Sequence, residues 1–94
     1  MNKHAEALTA TVLSKRFVYV LKNRDERPRY YTGVTADVAA RLDTHNSGGC
    51  PHTSGHRPWD AHVVIEFVDE AHALRFERYL KSGSGRAFAK RHFD

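Results

Sequence analysis

Hydrophobic and polar positions change period several times along this chain. Phe17-Val-Tyr-Val-Leu21 is an unbroken aromatic and β-branched run, the pattern of a strand buried on both faces. Phe17, Tyr19 and Leu21 point to one face, Val18 and Val20 to the other. Asn23-Arg-Asp-Glu-Arg-Pro28 is a polar turn. Arg29-Tyr-Tyr-Thr-Gly33 resumes strand chemistry, close enough to pair with the first run as an antiparallel hairpin. In this second strand Tyr31 and Gly33 share one face, Tyr30 and Thr32 the other. Gly33 marks a close backbone approach or a bend.

The period then becomes helical. Thr35 or Asp37 can cap a helix carrying Val38, Leu42 and His45 on one side, and Asn46 and Gly48 end it. A loop of Gly, Pro, Ser, Thr and His follows, from Ser47 to Pro58. Ala61–Val68 is the third strand. Asp69 reads as the next N-cap, ahead of an apolar stripe of Ala73, Leu74, Phe76 and Leu80. Ser82-Gly-Ser-Gly85 breaks that helix, and Arg86–Phe93 forms a short final one. The order β-β-α-β-α-α predicts an α+β domain, a small three-stranded antiparallel sheet flanked by helices.

Ninety-four residues suit one domain, able to bury roughly 60–65% of its unfolded surface. Cys50 is the single cysteine, so no internal disulfide helps, and the composition suits a reducing cytoplasm. Residues 1–14 read as a frayed or helical extension, with the domain occupying 15–94. The run Ala7–Leu13 is too brief and too rich in threonine for a membrane span.

Charge adds a direction. Fifteen Lys and Arg stand against eleven Asp and Glu, a net +4, which permits a polyanionic partner without demanding one. Its distribution is uneven: from Arg75 to His92 the chain carries Arg75, Arg78, Lys81, Arg86, Lys90 and Arg91, and Glu77 is the one acid. A solvated helix face would account for this equally well.

Three polar side chains fall where the periodicity expects apolar ones. Counting about 100° per residue from Ala73, Glu77 lands near 40°, inside the apolar arc of its helix. A buried carboxylate needs a partner, whether a cation, several donors or a metal. His45 lies beside Val38 and Leu42, and Arg41, four residues earlier, sits at the edge of that face. Each has an ordinary structural explanation: a paired Glu, a satisfied core His, a solvated Arg, core tyrosines in strands. Together, Tyr19, Tyr31, Arg41, His45 and Glu77 form a set that could hold a metal, activate water and neutralise a phosphate.

The same residues, in order, resemble the GIY-YIG nuclease family. Val18-Tyr19 is similar to the end of its first motif and Tyr31-Thr32-Gly33 to its second, with eleven residues between the two tyrosines. Gly33-Val-Thr-Ala-Asp37, Arg41-Leu42 and His45-Asn46-Ser-Gly48 resemble the stretch that runs through the family's helix Arg and His. Thr53 and Arg57-Pro58-Trp59 resemble the segment before the third strand. Phe76-Glu77 through Lys81 resembles the helix with the metal-binding Glu. Lys81–Gly85 is similar to the turn of small single-domain (UPF0213-like) members. The likeness covers about Phe17 to Phe93. Phe17 stands where the first motif has glycine, Thr32 where the second has isoleucine, and Val34 where some members carry Lys; no Asn follows Asn46.

The resemblance implies a divalent-metal-dependent endonuclease that hydrolyses DNA phosphodiester bonds. Glu77 would anchor one Mg²⁺ or Mn²⁺, and Arg41 would clamp the scissile phosphate. Tyr19 or Tyr31 would deprotonate the attacking water, with His45 available to accept a proton. The basic residues Arg75, Arg78, Lys81, Arg86, Lys90 and Arg91 would touch phosphates of DNA, branched or single-stranded structures included. No membrane partner and no small-molecule cofactor is implied. The alternative is a non-catalytic nucleic-acid-binding module that keeps the GIY-YIG fold. A zinc-stabilised adaptor built on Cys50, His52 and His56, with His45 and His62 nearby, lacks standard ligand spacing. A basic helix docking an acidic protein partner leaves Glu77 unexplained.

Overall fold

The computed structural model describes residues 14–94; the sequence-predicted extension over 1–14 lies, apart from Ser14, outside the described residues. Strands β1 (Arg16–Asn23), β2 (Tyr30–Thr35) and β3 (Trp59–Phe67) form an antiparallel sheet in the order β2-β1-β3. Helix α1 (Val38–Asn46) follows β2, and α2 (Glu70–Leu80) and α3 (Gly83–His92) follow β3. The predicted α+β order β-β-α-β-α-α is the observed one. The elements differ only at their ends: β1 and β3 are longer than the apolar runs, and α3 begins at Gly83.

The continuous apolar run of β1 is explained by its central position, with a layer on each face. Val18 and Val20 pack with Ala73 of α2 and Leu80, ringed by Phe67, Phe76, Phe88 and Phe93. Tyr19 and Leu21 pack on the opposite face with Trp59, Tyr31 and Leu42 of α1. Tyr19 is 1% exposed and Leu21 0%. Strand alternation therefore sorts the sheet into a face under α2 and α3, and a face under α1.

One irregularity sets the second face. The β1–β3 register shifts between Val20 and Leu21: Val20 pairs with Val63, but Leu21 pairs with Ala61. The extra residue, His62, is a β-bulge, and a one-residue shift moves everything beyond it to the other face. Val63 thus belongs to the α2/α3 cluster while Trp59 belongs to the Tyr19 cluster. Two polar clamps hold that end. Asn46 Nδ2 donates to the Trp59 carbonyl (2.9 Å) and its Oδ1 accepts from Trp59 N (2.7 Å). Asn23 Oδ1 accepts from Arg29 N (2.8 Å) and its Nδ2 donates to the His56 carbonyl (3.1 Å).

The helices start where short acceptors stand. Asp37 accepts from Ala40 N (3.0 Å), Asp69 from His72 N (2.8 Å), and Ser82 Oγ from Gly85 N (3.1 Å). Of the two predicted caps for α1, Asp37 holds the cap position and Thr35 Oγ1 accepts from its backbone N–H (3.2 Å). Asn46 and Gly48 end α1 as predicted, with Gly48 at φ +84°. Ser82–Gly85, expected to be only a break, is instead the cap and first turn of α3. Its glycine is steric: a Cβ on Gly85 would lie 1.7 Å from the Tyr79 carbonyl oxygen, so α3 can turn this tightly off α2 only with glycine there. Leu74, expected in the apolar stripe of α2, is 38% exposed; the stripe is narrower than its sequence suggests, centred on Ala73, Phe76 and Leu80.

Candidate active site

The two motif strands meet at one contact. Tyr19 pairs directly with Gly33 across β1 and β2, and the Tyr19 ring lies over the glycine. A Cβ at position 33 would stand 2.6 Å from the Tyr19 hydroxyl and 2.7 Å from Cζ. Gly33 is therefore the close-approach glycine its strand position suggested. Tyr31, two residues before it, places its ring 6.3 Å from that of Tyr19. The His45 ring, carried by the last turn of α1, stands 4.8 Å from Tyr31 and 5.8 Å from Tyr19.

A buried hydrogen-bond chain runs through this cluster. Tyr19 Oη is 2.9 Å from His45 Nε2, and His45 Nδ1 is 2.7 Å from Thr53 Oγ1. Thr53 Oγ1 in turn donates to the Cys50 carbonyl (3.3 Å). That last bond uses the only hydroxyl proton of Thr53, so Nδ1 must be the donor to Thr53 and Nε2 the acceptor from Tyr19. The tautomer follows from these partners. Thr53 itself is fixed by the Trp59 indole, whose N–H donates to the Thr53 carbonyl (2.9 Å). The bulge at His62, by turning Trp59 to this face, thus supports the chain from below.

Burial and charge tune the groups. Burial pushes the Tyr19 phenol up to about 12, with the neighbouring Tyr31 adding to the shift and the Arg41 charge opposing it. Burial also raises Tyr31, while the charges of Lys81 and Arg41 lower it. His45 is held below its ordinary value by burial first and by Arg41 second, so it is neutral at pH 7 and able to accept a proton. Arg41, exposed on α1, is the cation that reaches both phenols and the imidazole.

Glu77 has the partner its position demanded. Its side chain is 15% exposed and its carboxylate pairs with Lys81 one turn later on α2. The same ammonium acts on Tyr31, and Lys81 and Tyr31 wall one cavity; Tyr19 lies on the other face of the sheet from α2. Among the described residues no three His, Cys, Asp or Glu side chains gather to hold a metal ion. Cys50, His52, His56, His45 and His62 therefore form no closed zinc site there. A lone, largely buried carboxylate fits a different kind of ion: Mg²⁺ keeps several waters and takes phosphate oxygens as further ligands. The donor set at Glu77 is compatible with that, with Lys81 supplying the counter-charge meanwhile.

The basic residues do not form one face. Arg86 and Lys90 border a cleft between the sheet and α3, and Lys81 and Arg86 border its continuation toward Tyr31. Arg91 lies on another side of α3 with Ser84, Ala87 and His92. Arg75 and Arg78 are exposed on α2. Two neighbours of the candidate site carry no periodic signal in the sequence, although Thr53 belongs to the stretch that resembles the family and Cys50 to the loop weighed for zinc. Thr53 sits eight positions after His45 in an irregular loop, where no periodicity points at it. Cys50 reads as loop polarity, yet its thiol is one of the neighbours that raise the Tyr31 phenol.

The comparisons with known proteins give the family. The GIY-YIG catalytic domain family matches residues 15–91. The chain belongs to the GIY-YIG family. Among its relatives it is similar to a UPF0213 protein of Staphylococcus haemolyticus, 36% identical over 73 residues, 77% of this chain and 87% of that protein. UPF0213 protein YazA of Bacillus subtilis is 33% identical over 69 residues, 72% of this chain and 68% of that protein. The chain is thus a small UPF0213-like GIY-YIG domain. It is also 42% identical over 67 residues to the structure-specific endonuclease subunit SLX1 of Mus musculus, covering 64% of this chain but only 25% of that protein. No solved structure matches the chain significantly. No helix among the described residues is long and apolar enough to cross a membrane.

Proposed function

We propose that this GIY-YIG domain binds nucleic acid and, as the finer reading, that its tyrosine–histidine–arginine site hydrolyses DNA phosphodiester bonds. The observation that carries the proposal is the chain Tyr19–His45–Thr53–Cys50 carbonyl beside Arg41. A phenol at about 12 is a poor base by itself. A phenol whose proton already points at a neutral imidazole is a better one: as Tyr19 Oη takes a proton from water, its own moves to His45 Nε2. The imidazolium so formed keeps donating from Nδ1 to Thr53, which the Cys50 carbonyl polarises. Tyr31 lines the mouth of the site and orders the water, and Arg41 holds the phosphate with its planar fork and offsets charge in the transition state. Glu77 would hold a divalent cation, Mg²⁺ or Mn²⁺, which when bound supplies stabilisation of charge on the leaving oxygen. The likeness to a structure-specific endonuclease subunit supports the reading, as do Lys81 and Arg86, which wall a cavity together with Tyr31.

Binding without cutting is the second reading, and two observations favour it. The Glu77 carboxylate is already neutralised by Lys81, and both phenols are shifted away from basic form. Incubation of labelled single-stranded, duplex and branched DNA with Mg²⁺ or Mn²⁺, with binding followed in parallel, separates the two. Cutting that needs metal and disappears in Glu77→Ala supports hydrolysis. Retention of DNA with no cutting on any substrate leaves the binding module, and cutting that survives Glu77→Ala overturns the assigned site.

A further inference from the structure

The basic residues of α3 border a cleft that the proposed chemistry does not use. It lies on the opposite sheet face from Tyr19, between β1/β2 and α3, with a volume of about 290 Å³. Its lining is largely apolar: Val20, Leu80, Ala89 and Phe93, with Tyr30 beside them. Its rim is cationic, with Arg86 and Lys90 one turn apart on α3. At its open end it shares Tyr30, Thr32, Leu80 and Arg86 with a second cavity, whose far wall is Tyr31 and Lys81. The cleft therefore runs round the β2 edge to the margin of the tyrosine–histidine site.

We infer that this cleft holds one unpaired nucleotide of the bound DNA, its base against Tyr30 and its flanking phosphates on Arg86, Lys90 and Lys81. The inference rests on the nucleic-acid-binding reading above and names the substrate feature that reading leaves open. Four observations converge. Tyr30 is 44% exposed and lines the cleft at the sheet edge; the Lys22 ammonium lies 5.8 Å from its ring and the His62 ring 5.7 Å away, and the part of the ring bordering the cleft offers the aromatic surface that a base without sequence preference uses. The volume of about 290 Å³ lies just below the roughly 300–1,000 Å³ typical of ligand pockets, which suits a single base and no larger ligand. The rim carries the charge that complements a phosphodiester backbone. The groove leads to the site where a backbone would be cut. A paired base cannot enter, because both its faces are stacked and its edge is bonded; an unpaired one presents its face freely. One acid tempers the rim: Asp94 lines the cleft, accepts from the Tyr30 hydroxyl (3.3 Å) and faces His62 Nε2 at 3.7 Å. That bond engages the hydroxyl of Tyr30 and not its ring.

The test avoids catalysis. The full chain in EDTA is titrated with a duplex bearing a single-stranded arm, with 2-aminopurine at successive arm positions, and with a fully paired duplex. The expected result is fluorescence quenching at one arm position beside the junction. It is kept in Tyr30→Phe and lost in Tyr30→Ala, with armed-substrate affinity falling roughly 5- to 150-fold, the equivalent of one base–aromatic stack, and paired-duplex affinity unchanged. DNA binding with no position-specific quenching, or an equal loss for armed and paired DNA in Tyr30→Ala, overturns the cleft assignment alone. No binding to any DNA overturns the binding reading beneath it. Circular dichroism of Tyr30→Phe and Tyr30→Ala separates lost stacking from lost folding.

Discussion

Gly33→Ala isolates the contact on which the site is built. The backbone at Gly33 is not left-handed, so alanine meets no conformational barrier there, and the whole cost is steric. Its Cβ would lie 2.6 Å from Tyr19 Oη, 2.7 Å from Cζ and 2.9 Å from Cε1. Those atoms belong to a rigid ring that is 1% exposed and bonded to His45 at 2.9 Å, so it cannot swing aside as a flexible chain end would. Displacing it costs about 1–3 kcal/mol as overpacking, and breaking the buried Tyr19–His45 bond adds ~1–3 kcal/mol. A total of about 2–6 kcal/mol is a large fraction of the roughly 5–15 kcal/mol that holds a domain together. It lowers Tm by at least roughly 8 °C in a chain of this size. Urea denaturation read by circular dichroism measures it, with Gly55→Ala as control, because nothing lies within 4 Å of a Cβ there. A Gly33→Ala variant within about 0.5 kcal/mol of wild type, the range of an ordinary surface substitution, would refute the close-packing argument.

Three further outcomes follow from the same geometry. Thr53→Val removes the acceptor of His45 Nδ1 and is expected to cost about 1–3 kcal/mol and to free the imidazole tautomer, read by denaturation and by nitrogen-15 NMR of the ring; an unchanged ring spectrum contradicts the assigned chain. Gly85→Ala drives a Cβ into the Tyr79 carbonyl and is expected to cost ~3 kcal/mol or more, seen as a large fall in Tm; a neutral result would mean α3 leaves α2 by another path. His45 has its pKa depressed in the folded chain, so its contribution to stability is present above the ordinary value near 6.5 and lost as pH falls below it. Wild type is expected to lose more stability than His45→Gln between pH 7 and pH 5, and parallel profiles would contradict this.

Most of the fold is legible because it rests on local pattern. The both-faces-buried run of β1, the caps Asp37 and Asp69 and the terminator Gly48 are each visible in a few adjacent residues. The candidate site's polar residues stand out where side chains interrupt a period: His45 on an apolar helix face bonds Tyr19 and Thr53, and Glu77 inside an apolar arc pairs with Lys81. What escapes depends on contacts between distant segments. Trp59 reaches the Tyr19 face only through the bulge at His62, which no alternation in 59–67 announces. Thr53 matters because a loop returns it to His45. Leu74 is exposed because α2 touches the sheet along a narrower line than its sequence suggests. The basic residues read as one stretch but are divided by α3, which turns Arg86 and Lys90 to the cleft and Arg91 elsewhere.

The most direct measurement is single-turnover cleavage of labelled DNA with Mg²⁺ by wild type, Tyr19→Phe and His45→Ala, each verified as folded and DNA-binding. Wild type is expected to cut only with metal, and each variant to lose roughly 10²- to 10⁴-fold in rate, the usual contribution of a positioned acid–base group. Wild-type rates in both folded variants would contradict the proton path through Tyr19 and His45.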